Sequence, residues 1–210
     1  TNMGISIGNR GRVDIYVHVK GKATHSSDPE SGLSAIEGAY RIMKRLETLK
    51  LSKVHPLLGQ QRAIVYQIIY DPIAPHTLPG KAKITVDRRL LPGDDPEEAM
   101  EEIRSVLTDL APYEVKVEQG VCMLPSLTAA DSPVVLALKE ASLHVRGKEN
   151  ETYYGRGTYD AGGLTSAGIP AVMFGASGGS KDILGEDYVC IREVVEEAKM
   201  LAYTILKMLI

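Results

Sequence analysis

The order of hydrophobic patterns between Gly11 and Gly120 constrains the fold more than any other feature of this chain. Three valines and one isoleucine alternate with polar residues from Val13 to Val19, a pattern that predicts a half-buried strand. A helical repeat follows over about Gly32 to Leu49, and then come two strands, a second helix and a last strand. This βαββαβ order is the split βαβ pattern of a ferredoxin-like sandwich. It predicts a four-stranded sheet with two helices on one face.

The later elements of this region carry their own signals. The strand from Arg62 to Tyr70 is rich in β-branched and aromatic residues, and the strand from Ala82 to Arg89 alternates. Three prolines between Asp71 and Gly80 predict an irregular segment. The second helix is expected to begin within Asp94-Asp95-Pro96-Glu97-Glu98, which offers a carboxylate to cap the helix and a proline for its first turn. The last strand is predicted over Tyr113 to Glu118.

The pattern changes after Gly120 and indicates an incomplete α/β segment. Two or three short strands alternate with helices, including a strand over Pro170 to Phe174 and a final helix over about Ile191 to Leu209. So few strands leave sheet edges and apolar faces without partners. We therefore predict an entry linker over 1–9, a ferredoxin-like domain over 10–120 and part of an α/β domain over 121–210.

Composition excludes several classes of function. The formal net charge of -3 argues against a nucleic-acid partner, and no apolar run reaches the roughly 20 residues of a membrane-spanning helix. The first residues show no charged-then-apolar pattern, so we expect no signal sequence there. Cys122 and Cys190 stand far apart without a CxxC motif, which favours reduced thiols and a cytoplasmic protein.

Three regions contain candidate binding or catalytic residues. His25 lies between a predicted strand and a predicted helix, in a position typical of functional loops, although a surface histidine is the simpler interpretation. His76 and Arg89 are thirteen positions apart, and together they would present a hydrogen-bonding group and a guanidinium to an anion. The glycine-rich turn around Gly157 and Thr158 lacks the spacing of a nucleotide-binding loop.

Three stretches of the chain resemble the M20 metallopeptidases, the zinc-dependent family of acetylornithine deacetylase, succinyl-diaminopimelate desuccinylase and carboxypeptidase G2. Gly21 to Ile36 is similar to the G-x-x-x-H-[SA]-x-x-P-x-x-G-x-[NS]-A-I stretch of that family's lid, or dimerisation, domain. His76-Thr-Leu-Pro79 with Asp87-Arg-Arg89 resembles its N-x-[VI]-P…D-x-R stretch. Gly157-Thr-Tyr-Asp160 followed by Gly168 to Gly175 resembles the G-[GT]-x-D…G-I-P-x-[VI]-x-[FL]-G run of its catalytic domain.

The resemblance implies a fold, a reaction and a set of residue roles. The lid would form homodimers by continuing its sheet across subunits, and His25 would stabilise the oxyanion in the partner's active site. Arg89 would hold the carboxylate of the substrate, and His76, Gly157 and Thr158 would line the substrate pocket. The parent enzyme would use two zinc ions to hydrolyse the amide bond of an N-acyl amino acid or small peptide.

The chain also departs from the family pattern. His76 replaces the usual Asn, and Ile183 stands where a metal-binding His is usual, with Asp182 beside it as a replacement oxygen ligand. No H-x-D motif is present to build a two-zinc site. The resemblance places the family's metal-site Glu-Glu before the lid, whereas the Glu-Glu pairs of this chain are Glu97-Glu98, Glu101-Glu102 and Glu196-Glu197. We therefore expect the lid and C-terminal part of an amidohydrolase, inactive alone and with no zinc site or a partial one.

Two alternatives remain open at this point. The first is a non-catalytic dimerisation or ligand-binding module that has lost its metal site, motivated by Ile183 and His76. The second is a stand-alone ferredoxin-like regulatory domain, against which the 90 or so residues after the predicted sheet argue.

Overall fold

The computed structural model describes residues 1–180 and 185–209, which divide into two compact units. We call residues 12–122 the central unit and residues 1–11 together with 123 onward the terminal unit. In chain order the elements are β1 (Ile5–Asn9), β2 (Gly11–Lys20), β3 (Thr24–His25), a 3-10 turn (Pro29–Ser31), α1 (Ala35–Leu46), β4 (Val54–His55), β5 (Gly59–Gln60), β6 (Arg62–Asp71), β7 (Thr77–Leu78), β8 (Lys81–Leu90), α2 (Pro96–Val106), β9 (Glu114–Met123), β10 (Ser126–Leu127), α3 (Pro133–Arg146), β11 (Thr152–Gly155), α4 (Ala161–Ser166), β12 (Gly178–Ser180), β13 (Asp187–Val189) and α5 (Ile191–Leu209).

The central unit is built on a four-stranded sheet with the order β6-β8-β2-β9. With α1 between β2 and β6, and α2 between β8 and β9, the main elements follow the predicted βαββαβ order, which is confirmed. Each crossover therefore skips a strand that lies between the two it connects, as in a split βαβ unit. Strand β6 lies at one edge of this sheet.

Alternation along the strands decides which face the two helices cover. Val13, Ile15 and Val17 of β2 are fully buried and pack with Ile84 of β8 and Ile103 of α2 in one core. The polar residues between them, such as Asp14 and His18, lie on the opposite, open face because successive side chains of a strand alternate. Arg88 of β8 is a charged residue whose side chain is also buried on the core side of the sheet.

The helix start predicted within 94–98 is confirmed, and the structure identifies Asp95 as the capping residue. Its carboxylate accepts a hydrogen bond from the backbone N–H of Glu97 at 2.8 Å, and Pro96 occupies the first turn. Two small antiparallel pairs, β3 with β7 and β4 with β5, decorate the central unit, and the first of them carries His25. Strand β9 continues to Met123, beyond the predicted end at Glu118.

The prediction of a loop over Thr1 to Asn9 is wrong. Ile5–Asn9 is the middle strand of a three-stranded sheet in the terminal unit, parallel to β11 and antiparallel to β10. Its five residues are all buried, and Ile5 and Ile7 pack against Val135 and Leu138 of α3. The segment is thus a central strand. It resembles an entry loop in sequence because the strands that pair with it lie more than 110 residues further along the chain.

The rest of the terminal unit follows the prediction in part. Helix α3 ends as predicted at Gly147, which adopts a left-handed conformation with φ +72°. The strand predicted over Pro170 to Phe174 is reduced to one bridge between Met173 and Ser6.

Helix α5 has the predicted bounds but a different buried face. Met200 and Thr204 are its buried residues, whereas Leu201, Ile205 and Leu209, predicted to face inward, are 42–79% exposed. No helix within the described residues is long and apolar enough to cross a membrane.

Candidate functional site

The two histidines singled out from the sequence meet in one small structure of the central unit. Strand β3 pairs antiparallel with β7, so that His25 lies opposite Thr77, and the backbone N–H of Ser26 donates to the carbonyl oxygen of His76 at 2.7 Å. The two imidazole rings lie 6.2 Å apart between centroids, with their planes inclined at 38°. We call this arrangement the two-histidine turn.

Local hydrogen bonds fix the tautomer of a neutral His25. The backbone N–H of Ser27 donates to His25 Nδ1 at 3.2 Å, and the Ser27 hydroxyl lies 2.7 Å from the same nitrogen. A backbone N–H can only donate, so Nδ1 is an acceptor and carries no proton. The proton of the neutral ring therefore resides on Nε2, and because the side chain is exposed, Nε2–H is presented as a donor.

His76 occupies a backbone conformation that few residue types adopt. Its φ is +51°, in the left-handed region, where asparagine, aspartate and histidine are several-fold enriched among residues other than glycine. This gives a physical reason for the departure seen in the sequence. Histidine replaces asparagine at a position where the backbone favours both.

Arg89 does not join the two histidines within one chain. It lies near the end of β8, whereas the two-histidine turn precedes the start of that strand at Lys81. Eight residues of extended strand separate Lys81 from Arg89, a distance of about 27 Å. This separation does not favour one small anion touching both within a single subunit, and the sequence-based expectation that His76 and Arg89 present themselves to one anion stays a prediction.

Carboxylates hold the two neighbouring arginines in different settings. Arg89 lies on the open face of the sheet, with a guanidinium nitrogen 2.7 Å from Asp87 Oδ2. Arg88 points the other way into the core, where its side chain is 1% exposed and pairs with Glu102 of α2 at 2.7 and 3.1 Å. Arg88 also donates to the carbonyl oxygen of Arg89, so the buried pair fixes the backbone that carries Arg89.

Gly157 and Thr158 lie in the terminal unit, on the turn between β11 and α4. Both are half-buried, and a Cβ atom on Gly157 would lie 3.2 Å from the hydroxyl oxygen of Tyr159. At the neighbouring Gly155 a Cβ atom would lie 2.2 Å from Asn9 Nδ2, so glycine is needed there for packing against β1.

The segment after the predicted Pro170–Phe174 strand is held by carboxylates of α5. Glu197 accepts from the backbone N–H of Ala176 at 2.8 Å, and Glu193 accepts from that of Ser177 at 2.7 Å. Hydrogen bonding from Ser177 lowers the pKa of Glu193. The hairpin of β12 and β13 follows directly.

The predicted metal ligand Asp182, and Ile183 beside it, lie outside the described residues. Within residues 1–180 and 185–209, no group of three or more His, Cys, Asp or Glu side chains is placed to hold a metal ion. The described part of this chain therefore does not fit a metal centre by itself.

Comparison with known proteins shows which family this chain resembles. Over 176 residues it is 32% identical to an acetylornithine deacetylase of Myxococcus xanthus, which covers 80% of this chain and 45% of that protein. It is 23% identical over 171 residues to a succinyl-diaminopimelate desuccinylase of Aliarcobacter butzleri, covering 81% of this chain and 46% of the relative. The chain thus spans about half the length of the curated relatives it matches.

The fold has the same relatives. An M20 family metallo-carboxypeptidase of Sulfolobus solfataricus superimposes with a TM-score of 0.75 at 18% identity, covering 97% of this chain and 59% of that one. The family model described as a peptidase dimerisation domain matches residues 7–115, more than half of the chain. The chain therefore belongs to the M20 peptidase family, whose dimerisation domain it contains.

Proposed function

We propose that this chain is the lid and C-terminal part of a metal-dependent amidohydrolase or exopeptidase. Its substrate would be an N-acyl amino acid or a small peptide whose scissile amide bond lies next to a carboxylate. Family membership supports the class of reaction, and the donor geometry of His25 is the observation that carries the assignment. On this proposal the chain contributes to the site but is inactive alone.

His25 would stabilise the oxyanion that develops when the amide carbonyl is attacked. A neutral imidazole with its proton on Nε2 is a donor held in place before the reaction, and such donors contribute about 3–4 kcal/mol to transition-state stabilisation. The hydrogen bond from Ser27 to Nδ1 keeps the donor on the exposed nitrogen. The proximity of His76 supports a role for it in the same place.

Arg89 would bind the carboxylate of the substrate, in a site completed by a second subunit. Arg89 lies about 27 Å along β8 from Lys81, the strand end that follows the two-histidine turn, which argues that one small substrate cannot touch both within one chain. In a two-fold dimer built on adjacent β6 edges, the strands run antiparallel. The Asp71 end of one subunit, near its histidines, then lies beside the Arg62 end of its partner, near Arg89.

Exposed apolar residues support β6 as the dimer edge. Strand β6 is a terminal strand of its sheet, and Ile64, Tyr66 and Ile69 on it are 45–59% exposed. A long, apolar edge strand is a template for pairing with another chain. We propose a homodimer in which His25 of each subunit reaches the active site of its partner. We also propose that the protein has no nucleic-acid or membrane partner and that its location is cytoplasmic.

The metal of the parent enzyme is proposed to be zinc, bound as two ions. Its ligands would come from outside the residues described here, and Asp182 would be one of them. Gly157 and Thr158 would line the substrate pocket, as their family motif suggests.

The test is the substitution His25→Ala in a form of the protein extended at its N-terminus until it binds metal. Its turnover would be measured on N-acetyl-L-ornithine, N-acetyl-L-methionine and N-succinyl-L,L-diaminopimelate. Loss of the oxyanion donor is expected to lower kcat by about 10²–10³-fold while metal content stays unchanged. His144→Ala, which removes a histidine stacked on Tyr203 of the terminal unit, is the control and should retain activity. Unchanged kcat in His25→Ala would remove His25 from the mechanism.

Self-association gives an independent test. Sedimentation equilibrium of the chain should reveal a dimer, and Ile69→Lys on the edge strand should weaken it. A monomer at the highest attainable concentration would contradict the proposed interface.

A non-catalytic dimerisation or ligand-binding module is the second candidate, favoured by Ile183 at the position of the usual metal-binding His. It predicts that the extended protein binds no zinc and hydrolyses none of the three substrates.

A further inference from the structure

Two arginines face each other on the open side of the central sheet. Arg62 of β6 is the direct partner of Arg89 of β8 in the antiparallel ladder, and the two side chains share one face. The neighbouring pair, Ala63 with Arg88, points into the core, which places Arg62 and Arg89 on the open face. Residues directly opposite each other have Cβ atoms about 4.5–5.5 Å apart.

Like charges in directly opposite positions destabilise a sheet unless something neutralises them. Arg89 has a carboxylate partner in Asp87. Arg62 is exposed and forms no ion pair with any residue of the described ranges 1–180 and 185–209. No carboxylate among the described residues therefore neutralises Arg62, although it lies directly opposite a second arginine.

A third guanidinium increases the local positive charge. Arg12, at the start of β2, pairs with Asp14 at 3.3 Å. Just after the other end of β2, the N–H of Gly21 donates to the carbonyl oxygen of Gly80, which precedes β8. The neighbouring strands β2 and β8 therefore run antiparallel, and the start of β2, with Arg12, lies beside the end of β8, with Arg89. Three guanidiniums and two carboxylates, those of Asp14 and Asp87, leave one positive charge.

We propose that Arg62 and Arg89 together bind a single carboxylate, that of the substrate, and that Arg62 is a specificity-determining residue. This inference rests on the proposed function, in which Arg89 binds the same group. One carboxylate matches the one unbalanced positive charge. Its two oxygens accept from two planar guanidinium forks, which approach from neighbouring strands of a rigid sheet.

Two opposed arginines make the site selective for a carboxylate over an uncharged carboxamide. A ligand whose carboxylate is replaced by an uncharged carboxamide would leave the two opposed arginines without a counter-charge, so the site rejects it. Arg62 supplies part of that discrimination because it lacks any other anionic partner among the described residues. Loss of Arg62 should therefore reduce the preference for acids over amides without impairing the chemical step.

The experiment uses the metal-binding extended protein, the best of the three substrates named above and its α-carboxamide. Arg62→Gln should raise KM for the acid about 10- to 100-fold, the range expected for a lost charge-assisted hydrogen bond, with kcat nearly unchanged and little effect on the carboxamide. Arg62→Lys should restore part of the preference. Arg45→Gln, which removes an exposed arginine of α1, is the control for overall charge and should leave the acid-to-amide ratio unaltered.

Arg89→Gln separates failure of this inference from failure of the proposed function. If Arg89→Gln abolishes the preference for the acid but Arg62→Gln leaves it intact, Arg62 is not part of the site and the inference is overturned. If neither substitution alters the preference, the proposed carboxylate site fails as well. If Arg62→Gln instead weakens the dimer in sedimentation without changing the acid-to-amide ratio, Arg62 belongs to the subunit interface and the inference is again overturned.

Discussion

The buried ion pair between Arg88 and Glu102 allows a quantitative prediction. The Arg88 side chain is 1% exposed, and Glu102 is its only carboxylate partner among the residues described. Glu102→Gln keeps the shape of the side chain but leaves a guanidinium in the core without a counter-charge. Breaking a fully buried pair from one side costs about 3–5 kcal/mol. Glu102 is 38% exposed, so water screens part of the interaction, and we expect a loss of about 2–3 kcal/mol.

Glu101→Gln is a matched control on the same helix. Glu101 is 65% exposed and pairs with Arg104, so its loss should cost about 0.5 kcal/mol or less. The free energy of local opening would be measured by hydrogen exchange of the peptide that covers β8, in increasing urea, which reports on the central unit alone. Equal losses for the two substitutions would refute the argument that burial sets the strength of the Arg88 pair.

Two further predictions concern a titrating carboxylate and a pair of glycines. Burial acts to raise the pKa of Asp94, but hydrogen bonds from Lys53 and from neighbouring groups outweigh it and lower the pKa. Because the folded pKa lies below the unfolded value of about 3.9, Asp94 stabilises the fold above that pH, and this contribution is lost as the pH falls through the folded pKa. Asp94→Asn should therefore lower Tm at pH 7 and flatten the decline of Tm below pH 4, and an unchanged acid limb would contradict this. In α4 a Cβ atom on Gly162 would lie 1.9 Å from the carbonyl oxygen of Leu124, whereas Gly163 has no atom within 4 Å. Gly162→Ala should cost about 1–3 kcal/mol in urea unfolding, and Gly163→Ala should gain about 0.5–1 kcal/mol; a gain for both would show that the close approach is absent.

Local pattern was sufficient to predict the central unit. The alternation in β2 and β8 and the cap at Asp95 each concern a few consecutive residues, and all appear where expected. The four strands also pair with one another within about 110 residues of chain. Each local signal therefore agrees with the fold that the whole segment adopts.

The terminal unit was harder to predict because its structure depends on residues far apart in sequence. Ile5 and Ile7 alternate with Ser6 and Gly8, but five residues with a glycine carry little strand signal without their distant partners. Periodicity in α5 indicates which residues share a face but not what covers it. Apolar residues of that helix therefore remain exposed although the pattern favours burial.

In the candidate site, too, the placement of residues relative to regular elements could be predicted, whereas features set by hydrogen bonds and strand pairing could not. The position of His25 between β2 and α1 could be predicted, but the short strand β3 that carries it depends on pairing with the distant β7. Its tautomer could not be predicted either, because the tautomer depends on the hydrogen bond from Ser27. The separation of His76 from Arg89 follows from counting residues along a strand. Arg62 carries no motif, and only the ladder that places it opposite Arg89 reveals it.

Zinc content measured together with hydrolysis of the three N-acyl substrates decides whether this chain is part of a metal-dependent amidohydrolase, when this chain is compared with a form extended at its N-terminus. We expect two zinc ions per subunit and activity in the extended form, with neither in the 210-residue chain. An extended form that binds no zinc and hydrolyses none of these substrates would contradict it.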